Sequence, residues 1–194
     1  MSSENQQVQR LRLEYLMPLR NVPFLKVIRQ ECNKGRSIQP VFQKWQPFKA
    51  FVGGFIAISF LGILSDWSGY ELLVAPFGAS TVLLFGAPNS PLAQPRNLIF
   101  GNLLGAVSAV TFVAFLGTSP LVIGVAVASA IFLGQSFRCL HPPAGAVALL
   151  GVLSNASPLF IFIPVLSGSL ILLVIALVFH RIFINGSEYP LHWL

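Results

Sequence analysis

The run His141-Pro142-Pro143-Ala144-Gly145-Ala146 joins a titratable ring to two prolines and three small residues. Proline removes a backbone donor and biases the residue before it away from helix, so His141 reads as extended. Proline also suits the first position of a helix, so a helix can start at Pro142 or Pro143. The N–H groups of Ala144, Gly145 and Ala146 are then first-turn donors, and their small side chains leave them approachable. The helix dipole adds partial positive charge there. Such an end can take an anion. Upstream, Pro76 with Gly78, Ala79, Ser80 and Thr81 repeats the arrangement and adds two hydroxyl donors. The two stretches share the pattern P-x-G-A at an offset of 67, and Leu83 matches Leu150 at the same offset.

Partial helix charges contribute roughly 0.3–2 kcal/mol each, too little to replace the hydration of an ion. A hydrogen bond from a charged group adds about 1.5–3 kcal/mol. Arg138 or His141 is therefore expected to supply a formal positive charge. An ordinary pKa of about 6.5 would let His141 couple that charge to pH. Each residue has a plainer reading: Arg138 as an interfacial anchor ending a helix, His141 as a helix cap. Three accessory candidates follow. Arg96 is a loop charge or a site cation. Asn102 is a ligand or a polar link between helices. Glu71 is a proton relay at a mouth or an exposed carboxylate at a helix start. Cys32 and Cys139 form no CxxC and no ligand-spaced cluster, so no metal, cofactor or disulfide framework is expected. No metal-spaced His pair and no G-x-S-x-G elbow is present, and the chain is not read as an enzyme.

The elements that position these residues must be membrane helices. Only 9% of the 194 residues are charged, against about 25% in a soluble domain. Residues 50–184 hold five charges: Asp66, Glu71, Arg96, Arg138 and Arg181. Such a stretch cannot present an ordinary wet surface. Residues 1–49 hold nine of the twelve Lys/Arg. A basic tail ahead of an apolar body suits a membrane surface rather than nucleic acid. The tail's breakers leave no signal peptide, and Phe24–Cys32 fits a short interfacial helix or a mobile tail.

Six apolar segments follow: 47–64, 71–86, 97–117, 120–137, 142–153 and 159–183. A spanning helix needs about 20 residues. By that measure 97–117, 120–137 and 159–183 qualify, the first is slightly short, and 71–86 and 142–153 are short and broken by Pro and Gly. With six crossings every Lys/Arg falls on the cytoplasmic side, and Asp66 and Glu71 fall outside. If the two short segments dipped in and returned, Arg96 and Arg138 would lie outside. The offset of 67 carries the first segment onto the fourth and the third onto the sixth. The expected fold is thus an all-α polytopic bundle of two inverted three-helix repeats, each with an interrupted short helix, a transporter signature. Its domains are a basic tail (1–46), a transmembrane domain (47–184) and a short C-terminal tail (185–194). Gly101-x-x-x-Gly105 and Ala126-x-x-x-Ala130-x-x-x-Gly134 offer close-packing faces, within the chain or between two copies in a dimer.

The His141–Ala146 run, Ala75-Pro76-Phe77-Gly78-Ala79-Ser80-Thr81 and Gln94-Pro95-Arg96-Asn97 with Gly101-Asn102 together resemble the HPP family of integral membrane proteins, over roughly residues 45–184. That family is described with four spanning helices, against the six segments here. Its plant members are implicated in nitrite import across the chloroplast envelope, and cyanobacterial relatives are a natural comparison. The resemblance implies a nitrite transporter in a plastid envelope or a bacterial inner membrane. Composition and spacing reach only a small monovalent anion in a channel or carrier. The alternative from another class is a non-transporting membrane scaffold.

Overall fold

The computed structural model describes residues 23–38, 41–71, 74–183 and 189–193. Residues 1–22 of the basic tail and 184–188 of the C-terminal tail lie outside the described residues. The chain divides into two compact units, residues 1–43 and 44–194. In the first, α1 (Pro23–Ile38) is a single helix with Phe24, Val27 and Ile28 exposed beside Lys26 and Arg29.

All regular secondary structure among the described residues of the second unit is helical. Three helices are long and apolar enough to cross a membrane: α2 (Gln46–Ser68), α4 (Asn97–Leu116) and α7 (Ile161–Phe183). Three are shorter: α3 (Ala75–Gly86), α5 (Pro120–Ser136) and α6 (Pro143–Leu153). The first segment is longer than its sequence break suggested, because a helix leaving the bilayer can carry Ser65 and Asp66 into water. It stops where Gly69, at φ 73, donates its N–H to Ser65 O. The fourth is shorter than expected and closes at Ser136. Two helices start at the expected prolines: Pro120 opens α5 and Pro143 opens α6. In α3 the proline is second, Val74 is extended, and the helix begins at Ala75. Glu71 therefore lies in the preceding turn and is exposed; it does not start a helix.

Wide π-type turns occupy Val82–Gly86, Asn97–Gly101 and Ile161–Leu166. They sit at the end of α3 and the starts of α4 and α7, and such turns often mark functional places. At α7, Ile163 leaves helical geometry just before Pro164, which supplies the kink.

The apolar core has three clusters. Ala57 and Leu61 of α2, Phe77, Leu84 and Phe85 of α3, and Leu172, Ala176 and Phe179 of α7 form one cluster. Ala109 of α4, Val122, Ala126 and Ala130 of α5, and Ala148 and Val152 of α6 form a second. The first also takes in Leu98 of α4 and Tyr189, and the smallest joins Ala106 of α4, Val147 of α6 and Val165 of α7. Small residues set these contacts. A Cβ on Gly101 would lie 2.5 Å from His141 Cβ and 2.8 Å from Cys139 O. One on Gly105 would meet Ala144 O, and one on Gly168 the Phe77 ring. The Gly101-x-x-x-Gly105 face thus packs α4 against the approach to α6 and α6 itself within one chain. Gly134 likewise faces Leu140.

Candidate functional site

Three loops meet at one end of the bundle. Arg96 donates from Nη2 to Phe137 O at 3.0 Å, and Asn97 from Nδ2 to Leu140 O at 2.8 Å. This ties the 87–97 loop to the turn between α5 and α6. Tyr189 donates its hydroxyl to Ala93 O at 3.1 Å, and Gln94 Oε1 accepts from Leu191 N at 2.8 Å. This ties the segment after α7 to the same loop. At the other end, Gly69–Glu71 and Ser154–Ser157 line one cleft of about 390 Å³.

The centre of the first end is His141. Its Nε2 lies 2.9 Å from Ser80 Oγ and its Nδ1 2.9 Å from Leu92 O. A carbonyl only accepts, so Nδ1 carries a proton. In the neutral ring Nε2 is then the acceptor and the Ser80 hydroxyl donates. The residue is 1% exposed. Burial pushes its pKa down to about 4, against a smaller upward pull from its bond to Leu92 O. His141 is therefore uncharged at neutral pH. A positive charge on it comes only with proton uptake at lower pH, because desolvation outweighs the bond to Leu92 O.

The short helices approach side by side. Ser80 lies in the second turn of α3, yet it touches a residue two positions before α6. The first-turn donors of α6 are not free: Ala144 donates to His141 O at 2.9 Å and Gly145 to Pro142 O at 3.2 Å. Those bonds close the turn that His141 and Pro142 begin. Ser80, Thr81 and Ala144 are buried, Gly145 is half-buried, and Gly78, Ala79 and Ala146 are exposed. The structure brings Ser80 and His141 together. It does not gather Gly78, Ala79 and Ala146 into an enclosed site.

Arg138 is exposed and closes α5 in a left-handed conformation, φ 53. Cys139 donates to Gly134 O and Arg138 to Gln135 O, the bonding of a helix stop that usually carries glycine. Its guanidinium has no hydrogen-bond or ion-pair partner among the described residues. Arg96 is half-buried and has no carboxylate partner among the described residues. Asn102 is fully buried, and its Nδ2 donates to Ser169 Oγ at 3.1 Å. Its Oδ1, with Thr81 Oγ1 and Ser108 Oγ, is buried without a partner among the described residues.

Four residues were not found by sequence reasoning. Gln94 is buried and binds Pro88 O, Ser90 O and the Leu191 amide. Tyr189 is buried against the ring of His180, centroids 4.8 Å apart, and His180 Nε2 bonds Leu84 O. Burial holds the Tyr189 hydroxyl well above its ordinary range. Ser169 had a signal: it stands 67 residues after Asn102, the offset of the repeated pattern.

The model of the HPP transmembrane region matches residues 39–190, nearly the whole bundle and its first end. The chain belongs to the HPP transmembrane family. Two transmembrane proteins of Dictyostelium discoideum are among its relatives. One is 44% identical over 131 residues, 63% of this chain and 46% of that protein. The other is 37% identical over 178 residues, 78% of this chain and 57% of that protein. The chain thus spans about half the length of the curated relatives it matches. No solved structure matches it significantly. Family and composition together make this HPP protein an integral membrane protein.

Proposed function

We propose that this HPP protein is a transporter or channel for a small monovalent anion, with nitrite as the first candidate. The observation that carries this reading is the Ser80–His141 pair, a buried polar contact between two helices too short to span. Eleven residues of α6 reach only about 16 Å, against a hydrocarbon core of roughly 30 Å. Polar backbone at membrane depth is tolerated where it lines a pathway. When His141 takes a proton, Nε2 becomes a donor, and the Ser80 hydroxyl is released from it. Two donors and one positive charge then face an arriving anion. Anion and proton would enter this site together. Thr81, Asn102 and Ser108 add further buried polar atoms to the bundle interior.

The inverted-repeat reading is supported by the two larger clusters, in which the third helix of each half packs with the first two of the other. It is also supported by the Asn102–Ser169 bond between positions 67 apart. Six crossings are favoured because the segment after α7 bonds the 87–97 loop; dipping α3 and α6 would leave those two on opposite sides. In this reading the end bearing Lys44, Lys49, Arg96, Arg138 and Arg181 faces the cytoplasm and that bearing Asp66 and Glu71 faces away. A homodimer belongs to the reading, on a face other than Gly101 and Gly105; a monomeric mass in nanodiscs would remove it.

The test is uptake by proteoliposomes across nitrite, nitrate, formate and chloride. Protein-dependent uptake of nitrite is expected. Uptake no faster than in protein-free vesicles for all four anions would favour the membrane scaffold.

A further inference from the structure

Arg96, Phe100, Leu104, Phe137 and Cys139 line an open cleft of about 390 Å³. The volume lies within the roughly 300–1,000 Å³ common for small-molecule sites. Apart from the arginine, the lining is apolar. Phe100 and Phe137 are exposed, and burial keeps the Cys139 thiol protonated, its pKa raised despite the opposing pull of Arg96. Leu104 is one turn below Phe100, so the apolar wall runs from the arginine down α4.

The guanidinium bonds the Phe137 carbonyl, the residue just before Arg138. Arg138, exposed and without a side-chain partner among the described residues, lies in the chain between the two lining residues Phe137 and Cys139. It holds a left-handed backbone conformation that disfavours a side chain. No acidic side chain neutralises either arginine among the described residues. The other basic residues of the bundle, Lys44, Lys49 and Arg181, lie towards this end too.

We propose that this cleft is a binding site for one anionic phospholipid, its phosphate on Arg96 and Arg138 and an acyl chain along Phe100 and Leu104. Paired cations above an apolar wall complement an anionic headgroup above a hydrocarbon tail. A free phosphate would leave the wall unused; a zwitterionic lipid would bring its own cation to the arginines. The site is separate from the Ser80–His141 pair, whose polar atoms are already engaged with each other and with Leu92. It does not depend on what the protein transports.

The test is native mass spectrometry of the full chain in detergent with phosphatidylglycerol, phosphatidylcholine of matched acyl chains, or glycerol 3-phosphate. One phosphatidylglycerol per chain is expected to be retained, with roughly tenfold preference over phosphatidylcholine. Arg96→Gln and Arg138→Gln should each weaken retention about fivefold. Arg96→Lys should keep most of it. Leu104→Trp should weaken it with no change in charge, by filling the wall. Each variant is compared at wild-type melting temperature. If Arg96→Gln does not fold, exposed Arg138 and the Leu104 variant decide. Equal retention of phosphatidylcholine, full competition by glycerol 3-phosphate, or wild-type retention in both Arg138→Gln and Leu104→Trp would overturn the proposal.

Discussion

His141 illustrates how burial reassigns a residue. The sequence placed it beside Pro142 and offered a ring that titrates near neutrality. Desolvation and two bonds make it a neutral link between α3 and the 87–97 loop. The unfolded ring takes up its proton near pH 6.5 and the folded ring near pH 4, so between these values the unfolded state binds more protons. Stability should therefore fall as pH is lowered through this window, by roughly 3 kcal/mol at most. Thermal melts at pH 7 and pH 4.5 should show the drop, and His141→Gln should flatten it. Ser80→Ala leaves Nε2 buried without a donor and should cost about 1–3 kcal/mol. At Arg138 the sign reverses. Arg138→Gly relieves a left-handed side chain and should stabilise the turn by about 1 kcal/mol, read as a higher melting temperature.

At the scale of elements, glycine spacing was legible but its use was not. Gly101-x-x-x-Gly105 reads equally well as a dimer face or an internal one, because the pattern encodes close approach without naming the partner. Backbone atoms of Cys139 and Ala144 occupy that approach here. Gly101→Ala should therefore destabilise by about 1–3 kcal/mol. Gly145 has room, its Cβ meeting only Val127 at 3.7 Å, so Gly145→Ala should gain up to about 1 kcal/mol from helix propensity. Melting both variants in one detergent checks the contrast. Helix starts were legible because Pro120 and Pro143 act locally. The strap of Tyr189 and Leu191 over Gln94 was not, since bonds across about 96 residues leave no periodic trace. Likewise Ala144 and Gly145 looked like free donors, and only the turn geometry shows where their N–H groups go.

At the scale of the molecule, the arginine distribution anticipated which loops share an end, and the Arg96, Asn97 and Tyr189 bonds join those loops. Orientation can be checked by impermeant thiol labelling in a background lacking Cys32 and Cys139. Cysteines at exposed Asn89 and Leu191 should label from one side and a cysteine at Tyr70 from the other. Asn89 and Tyr70 labelling from the same side would contradict six crossings. The central claim, that an anion crosses with a proton at the Ser80–His141 pair, is tested most directly by nitrite uptake into proteoliposomes between pH 7 and pH 5. Protein-free vesicles at each pH give the background. Protein-dependent uptake is expected to rise as pH falls in the wild type and to lose that rise in His141→Ala. A folded His141→Ala protein with the wild-type pH profile would contradict it.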